Sequence, residues 1–460
     1  MKLGVPADKL PRMDSTSVAP SPGHRLRQYL TSPALIFAVA LATRFAYLAY
    51  LQWVQPARVA THFVPGFETG QIARSIVEGH GFSSPLYVES GPTAWITPVY
   101  PYLLAGIFKV FGIYARSTEF TIKILNCLFA ALACFPLYAL GRRLFSPGVG
   151  AAAAWCWALN TGSIFYSVVW TWDTSLSALL LTLLLWATYA LDDTDRPSRW
   201  AGYGGLWAFG ALTNAALLAV FPGLLGYAVY RARQRSASWL RLGTMALLVF
   251  AAGVSPWLIR NQIVFHKALL LRSNFGLELW LGNNPEVPDT WAWWLHPSDN
   301  EQERAKFLRL GEIAYMQEKQ SLAWRFIKTH PADFGRFVFR RFMHNWTGTW
   351  EPLADIWTRV PLWLKISLAG SYLFSLLAFL GLFLVQRAQP LQSIPLLCLM
   401  LLFPLVYYIT HTSPRYRHPI DPAMGLLAVM ALAYPLRALR GKLRLPAGAP
   451  VPVAELAPRR

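Results

Sequence analysis

Three groups of side chains in this sequence have the types and spacing to do chemistry together. Glu68 stands in FVPGFETGQ, an acid set among Phe63, Pro65, Gly66 and Phe67. An apolar setting raises the pKa of a carboxyl and suits it to take up a proton near neutral pH. Asp173 stands in VVWTWDTSLSALL, between tryptophans and a long apolar run. Followed by Thr and Ser at a helix start, it has the makings of an N-cap. An acid at the edge of an apolar run is also costly without a role or a partner, so capping and catalysis are both open to it. The third group is HTSPRYRHPIDP, where Arg415 and Arg417 flank Tyr416 and His418 follows. Two guanidiniums so placed can grip a phosphate or diphosphate through paired hydrogen bonds.

Weaker candidates surround these. Arg260 and Asn261 close an apolar run in PWLIRNQIVF, and Trp95 and Tyr100 lie in GPTAWITPVYPY. With Tyr416 and His418 they are candidate substrate contacts. Asn283 and Asn284, in GLELWLGNNPE, read more simply as turn formers. Glu78 and Glu89 read as solvated acids, and Asn345-Trp346-Thr347 matches the short, unspecific glycosylation sequon. Arg44 falls in the middle of an apolar run, where a charge costs about 2.5–3.5 kcal/mol on insertion scales. It must face the interior of a helix bundle.

The elements that position these residues follow from composition. The chain has 460 residues, 55% hydrophobic and 14% charged, with 20 Trp, 19 Tyr and 27 Phe. A soluble protein could not hide that much apolar surface, so a polytopic membrane protein is expected. Runs that meet or approach the ~20 residues needed to cross a bilayer are 31–53, 118–141, 147–167, 174–191, 242–258, 361–385, 392–410 and 419–436. The stretch 200–230, interrupted by Asn214 and Pro222, reads as two short helices meeting near Asn214. That gives about ten transmembrane helices in an all-α protein.

The formal net charge of +19 could suggest nucleic acid, but its placement points to membrane topology instead. With the N-terminus inside, the inner segments hold 20 of the 42 basic residues. This works only if Ile96 to Gly112, which contains Pro98, Pro101 and Lys109, is an amphipathic helix in the outer interface. The expected organisation is a cytoplasmic tail at 1–30, helices one to seven over 31–258 including an outer loop at 54–117, and an extracytoplasmic helical subdomain at 259–360. The last three helices occupy 361–436, and a Pro/Ala-rich cytoplasmic tail 437–460. Residues 1–24 lack a cleavage pattern, so the first helix is expected to be retained. Cys127, Cys134, Cys156 and Cys398 sit in apolar runs without ligand spacing and read as buried hydrophobes. There is no phosphate loop, no GxGxxG at a strand-to-helix turn and no evident repeat.

The stretch GFETGQIARSIVEGHGFS, continuing through GPTAWITPVYPYLLAGIFKVFG, resembles the first extracytoplasmic loop of bacterial GT-C membrane glycosyltransferases. These are the group related to protein O-mannosyltransferases and aminoarabinose transferases, similar to glycosyltransferase family 39. PWLIRNQIVF, SNFGLELWLGNNP and RYRHPIDP also look like that group, so the likeness covers about 31–436. It implies a polyprenyl-phosphate sugar as donor, used on the non-cytoplasmic face of a bacterial-type inner membrane, and an acid in the first loop as base or metal contact. Many relatives have Asp or Asp-Glu there, and this chain has Glu68 preceded by Phe67. Asp173 would match a second acid, and Arg415 or Arg417 the donor-phosphate contact. The scheme fixes no cofactor and leaves a divalent cation open, with Glu68 and Asp173 as its candidate ligands. The partners are then a lipid-linked sugar, membrane lipid and an acceptor glycan, lipid or protein, with no nucleic acid. Rival readings are a transporter or lipid-linked-sugar flippase, and a noncatalytic envelope assembly protein.

Overall fold

A computed structural model of the chain describes residues 29–54, 67–235, 238–288, 290–349 and 360–439. The segment 1–28, residues 55–66 before the first loop helix, and the tail from 440 onward lie outside the described residues, and with them the expectations placed there. Everything regular among the described residues is helical. The first apolar run is α1 (Pro33–Val54), and the first loop carries α2 (Phe67–Val77) and α3 (Val99–Phe111). At 13 residues α3 rises about 20 Å, short of a ~30 Å hydrocarbon core.

Next come α4 (Arg116–Leu132) and α5 (Cys134–Leu144), which together form one long apolar span. The run at 147–167 bends into α6 (Pro147–Leu159) and α7 (Thr161–Val169) at Asn160, whose side chain caps the second piece by accepting from the Ser163 amide at 2.8 Å. After α8 (Thr174–Ala190), the stretch 200–230 forms α9 (Pro197–Thr213) and α10 (Phe221–Arg233), interrupted at Asn214 as the sequence predicts. The membrane part continues with α11 (Trp239–Phe265).

A further group of helices follows, α12 (Phe275–Gly282), α13 (Glu301–Leu310), α14 (Glu312–Thr329) and α15 (Pro331–Thr347), expected from the sequence as an outer subdomain. The chain ends in α16 (Leu362–Ala388), α17 (Pro390–Leu402), the short α18 (Leu405–Ile409) and α19 (Pro414–Arg417), and α20 (Asp421–Leu439). Six segments are long and apolar enough to cross a membrane: 33–54, 116–144, 174–193, 239–265, 362–388 and 390–409. The other stretches expected to cross form helices that are bent, paired or shorter, outside these six spans found among the described residues.

Small residues let these helices approach. A methyl on Gly204 would lie 2.2 Å from the Ala246 carbonyl oxygen, and one on Gly381 1.9 Å from that of Leu427. Backbone contact of this kind joins α9 to α11 and α16 to α20. Arg44 finds its partners at the Asn160 bend, where helix-end carbonyls are left over. It donates to the carbonyls of Ala40 (2.8 Å) and Ala158 (3.0 Å) and to Ser163 Oγ (2.5 Å), and it is fully buried.

The two outer regions, far apart in sequence, share one core. Trp95 of the first loop packs with Leu277, Phe307, Tyr315 and Phe337 of the outer helices. Glu312 pins the same loop, accepting from the Ala94 amide (2.8 Å), Ser273 Oγ (2.6 Å) and the Thr93 hydroxyl. Asn345 is buried inside α15 with only 1% of its surface exposed, so the sequon there is a helix-packing residue and no glycan acceptor. The four cysteines are unpaired, Cys127 and Cys134 buried and the others half-buried.

Candidate functional site

Glu68 lies in the first turn of α2 and is 8% exposed. Burial pushes its carboxyl above the ordinary range, against the opposing pull of His296 and Arg272. His296 Nε2 stands 3.4 Å from Glu68 Oε1. The Ser298 amide donates to His296 Nδ1 at 3.1 Å, so in the neutral ring the hydrogen sits on Nε2 and faces the carboxyl. Trp95 packs edge-on against His296, with ring centroids 5.6 Å apart. Trp95 thus supports the imidazole that addresses Glu68.

Asp173 precedes α8 without capping it, because no hydrogen bond runs from its side chain to a free helix amide. Instead it accepts from Ser177 Oγ at 2.7 Å, and Asn214 donates to the same hydroxyl at 3.2 Å. The interruption at Asn214 therefore supports the carboxylate through Ser177. Tyr100 and Tyr407 both lie within reach of the Asp173 charge. Tyr100 donates to Asn126 Oδ1 at 3.3 Å, and Asn126 donates to the Trp170 carbonyl at 3.1 Å.

The late arginines part company. The Arg415 guanidinium lies 4.2 Å above the Trp172 ring centre, 5.2 Å from Trp170 and 5.1 Å from Tyr416, and its Nη1 is buried without a hydrogen-bond partner. Arg417 is spent within the protein. It donates to Asp421 Oδ1 (3.0 Å), to the carbonyls of Asn345 (3.2 Å) and Trp346 (3.0 Å), and to Ser375 Oγ (3.2 Å). His418 is buried beside it, 3.2 Å from Asp421 and stacked on Trp157. Arg260 is likewise a staple, donating to the carbonyls of Thr93 (2.7 Å) and Phe82 (2.9 Å), with Asn261 accepting from it at 3.0 Å. Arg260, Asn261, Arg417 and His418 thus hold up the site's walls, and the geometry does not bring them to the group around Glu68.

Three residues that sequence reading passed over complete the cluster. Arg272 donates through Nε to the Trp95 carbonyl at 3.2 Å, and its charge bears on Glu68, Glu278, Tyr407 and Tyr416. Glu278 accepts from Asn274 at 2.6 Å and lies 2.5 Å from His411 Nε2. Burial alone would raise the Glu278 carboxyl, but His411, with Arg272 and His296, outweighs it and holds it down at about 2. His411 lies flat on Trp291, with centroids 4.5 Å apart and planes 9° apart, and its Nδ1 is buried without a partner. Tyr416 stacks on Tyr407 at 4.8 Å. The charges of Arg272, Glu278, Arg415 and Asp173 bear on this tyrosine pair, and the His411 ring lies 5.5 Å from that of Tyr416. The only sequence trace of Arg272 and His411 is a cation and a histidine standing at the ends of apolar runs.

Among the described residues, no three or more His, Cys, Asp and Glu side chains gather in a metal-holding arrangement. Glu68 faces a histidine and Asp173 a serine. This donor set does not fit a cation shared between the two acids.

Comparisons with known proteins agree with this architecture. Residues 93–259 match the model of the dolichyl-phosphate-mannose-protein mannosyltransferase family. The match begins after Glu68 and ends before Arg272. The structure is similar to the oligosaccharyltransferase of Archaeoglobus fulgidus solved with Zn and sulfate, at 13% identity and a TM-score of 0.53, covering 88% of this chain and 50% of that one. It is similar also to the Archaeoglobus fulgidus oligosaccharyltransferase AglB in complex with an inhibitory peptide and a dolichol-phosphate, at 13% identity and a TM-score of 0.51, covering 91% and 52%. The chain spans about half the length of these solved relatives. No curated protein matches it. Among the described residues the chain is all-helical, a multi-pass membrane protein with a GT-C-like fold, and the family match takes in the part of the resembling segments that falls within 93–259.

Proposed function

We propose that this protein is an integral-membrane glycosyltransferase that moves a sugar from a polyprenyl-phosphate donor to an acceptor hydroxyl. The observation that carries the reading is a buried, proton-avid carboxyl at Glu68 whose neighbouring charge, Arg272, also bears on the Tyr407–Tyr416 pair, against which Arg415 lies. The acceptor oxygen attacks the anomeric carbon as the bond from that carbon to the phosphate oxygen breaks. Its proton passes to the Glu68 carboxylate, and the electron pair leaves with the phosphate. A single displacement inverts the configuration. Arg415, with Nη1 unpartnered, and Arg272 bind the phosphate and stabilise the charge it gains. Trp95, Tyr100 and Tyr416 shape the sugar site, and Asp173, set by Ser177, orients a donor hydroxyl.

The same reading puts the outer loop at 54–117 and the subdomain at 259–360 on the extracytoplasmic face of a bacterial-type inner membrane. The tails at 1–30 and 437–460 are then cytoplasmic. Membrane lipid and a glycan, lipid or protein acceptor are its partners. The flippase alternative, which rested on broken helices and intramembrane Arg44, loses the second of these, because Arg44 is taken up by the carbonyls of Ala40 and Ala158. The test is transfer of labelled sugar from a membrane lipid-sugar fraction by purified wild-type protein and by Glu68→Ala and Asp173→Ala variants. Full transfer by both variants would overturn the assignment.

A further inference from the structure

A cavity of about 410 Å³ opens at the end of the bundle opposite the site. Its lining comes from the second half of α5, the end of α8, the turn after it and the start of α9: Arg142, Arg143, Trp186, Asp193 and Arg199, with Ala139 and Ala190 contributing little bulk. Asp173 begins α8 and Ala190 ends it, 17 residues later. At 1.5 Å per residue the two ends lie about 25 Å apart, close to the thickness of a hydrocarbon core. Whatever enters this cavity does not belong to the Glu68 cluster.

Charge pairing at this end leaves a remainder. Asp192 lies 3.4 Å from Arg231, Asp195 2.9 Å from Arg235, and Asp193 pairs with Arg143. Arg235 also holds the carbonyls of Leu191 (3.2 Å) and Thr194 (3.3 Å). These arginines are fastened to the turn between α8 and α9. Among the described residues no carboxylate stands within ion-pair distance of Arg142 or Arg199, and both line the cavity. The Arg142 guanidinium lies 6.0 Å from the centre of the Tyr138 ring. Beside them Trp186 is 37% exposed, a flat apolar face at the level where tryptophans meet the membrane interface.

We propose that this cavity binds the phosphodiester headgroup of an anionic phospholipid, with Arg142 and Arg199 on the phosphate and an acyl chain against Trp186. Two guanidiniums in a concave site, neither within ion-pair distance of a carboxylate although Asp193 bears on Arg199, match a phosphate oxygen pair. The alanines leave room for a chain between α5 and α8. A merely positive inner surface would distribute its preference over all the basic residues at this end, whereas the cavity concentrates it on two.

The experiment is native mass spectrometry of the full chain released from nanodiscs of phosphatidylglycerol mixed with phosphatidylcholine. Wild type is expected to retain one phosphatidylglycerol at about tenfold preference over phosphatidylcholine. The Arg142→Ala/Arg199→Ala double variant is expected to lose that preference. Arg233→Ala removes a charge at the same end but outside the cavity, and is expected to keep it. Equal retention by wild type and the double variant would overturn the proposal, as would an equal loss in Arg233→Ala. Displacement of the lipid by millimolar glycerol 3-phosphate would assign the cavity to a soluble phosphate ester instead. Thermal midpoints of the variants, and the single variants Arg142→Gln and Arg199→Gln, separate lost binding from lost folding.

Discussion

At the residue scale the molecule holds two carboxyls in opposite states. Glu68 is raised by burial while Glu278 is held at about 2 by His411. A base must be ionised to take a proton, and a raised pKa moves its working limb upward. Transfer should therefore fall on the acid side at a pH above the ordinary 4.5 of a glutamate. Glu68→Gln should lower the rate by about 10²–10⁴-fold. His296→Phe removes the pull that opposes burial, so the acid limb of the pH–rate profile should move to higher pH. An unchanged limb would show that another group sets it. The two late arginines give a second contrast. Arg415→Gln should weaken donor binding by about tenfold or more with little change in stability. Arg417→Gln should instead lower the thermal midpoint and leave donor KM near its original value, because its partners are Asp421 and helix-end carbonyls.

Elements are joined here by buried polar staples as well as by their apolar faces. Arg341 of α15 is fully buried and donates to the carbonyls of Thr290 (3.1 Å), Tyr408 (3.1 Å), Ile409 (3.2 Å) and Gly282. One guanidinium thus ties the outer helices to the end of α18. Arg341→Met would strand those carbonyls and should cost about 3 kcal/mol, read as denaturant unfolding in detergent. A loss below about 0.5 kcal/mol would mean that water replaces the guanidinium there. The close approach of Gly282 to the Thr410 carbonyl oxygen, where a methyl would stand 1.7 Å away, fixes the same junction.

For the whole molecule, the Glu278–His411 pair matters because it bridges α12 and the segment between α18 and α19. Glu278 has an ordinary value of 4.5 and a folded value of about 2. Its contribution is therefore complete above 4.5 and is lost as pH falls through about 2. A depression of that size corresponds to about 3 kcal/mol. Glu278→Gln should be less stable than wild type at pH 7, and the gap should narrow as the pH is lowered below 4.5. A gap independent of pH would mean that the variant fails through packing.

The sequence by itself determined the class of molecule. Apolar runs of membrane length, the interruption at Asn214, the non-spanning stretch around Val99 and the inward-facing Arg44 all follow from composition, breakers and the cost of a charge in lipid. It also picked out Glu68, Asp173 and Arg415, because acids in apolar settings and arginines beside aromatics are conspicuous within one segment. Only the tertiary structure decided what stands around them. His296, Arg272, Glu278 and His411 come from segments hundreds of residues from Glu68, and nothing local distinguishes them from surface groups. Arg415 and Arg417, two residues apart in one short loop, were alike in the sequence. They differ because that turn aims one at the tryptophans of Asp173's segment and the other at the exposed carbonyls ending α15. The helix-end carbonyls that absorb Arg44, Arg341 and Arg417 exist only once the helices have formed and stopped.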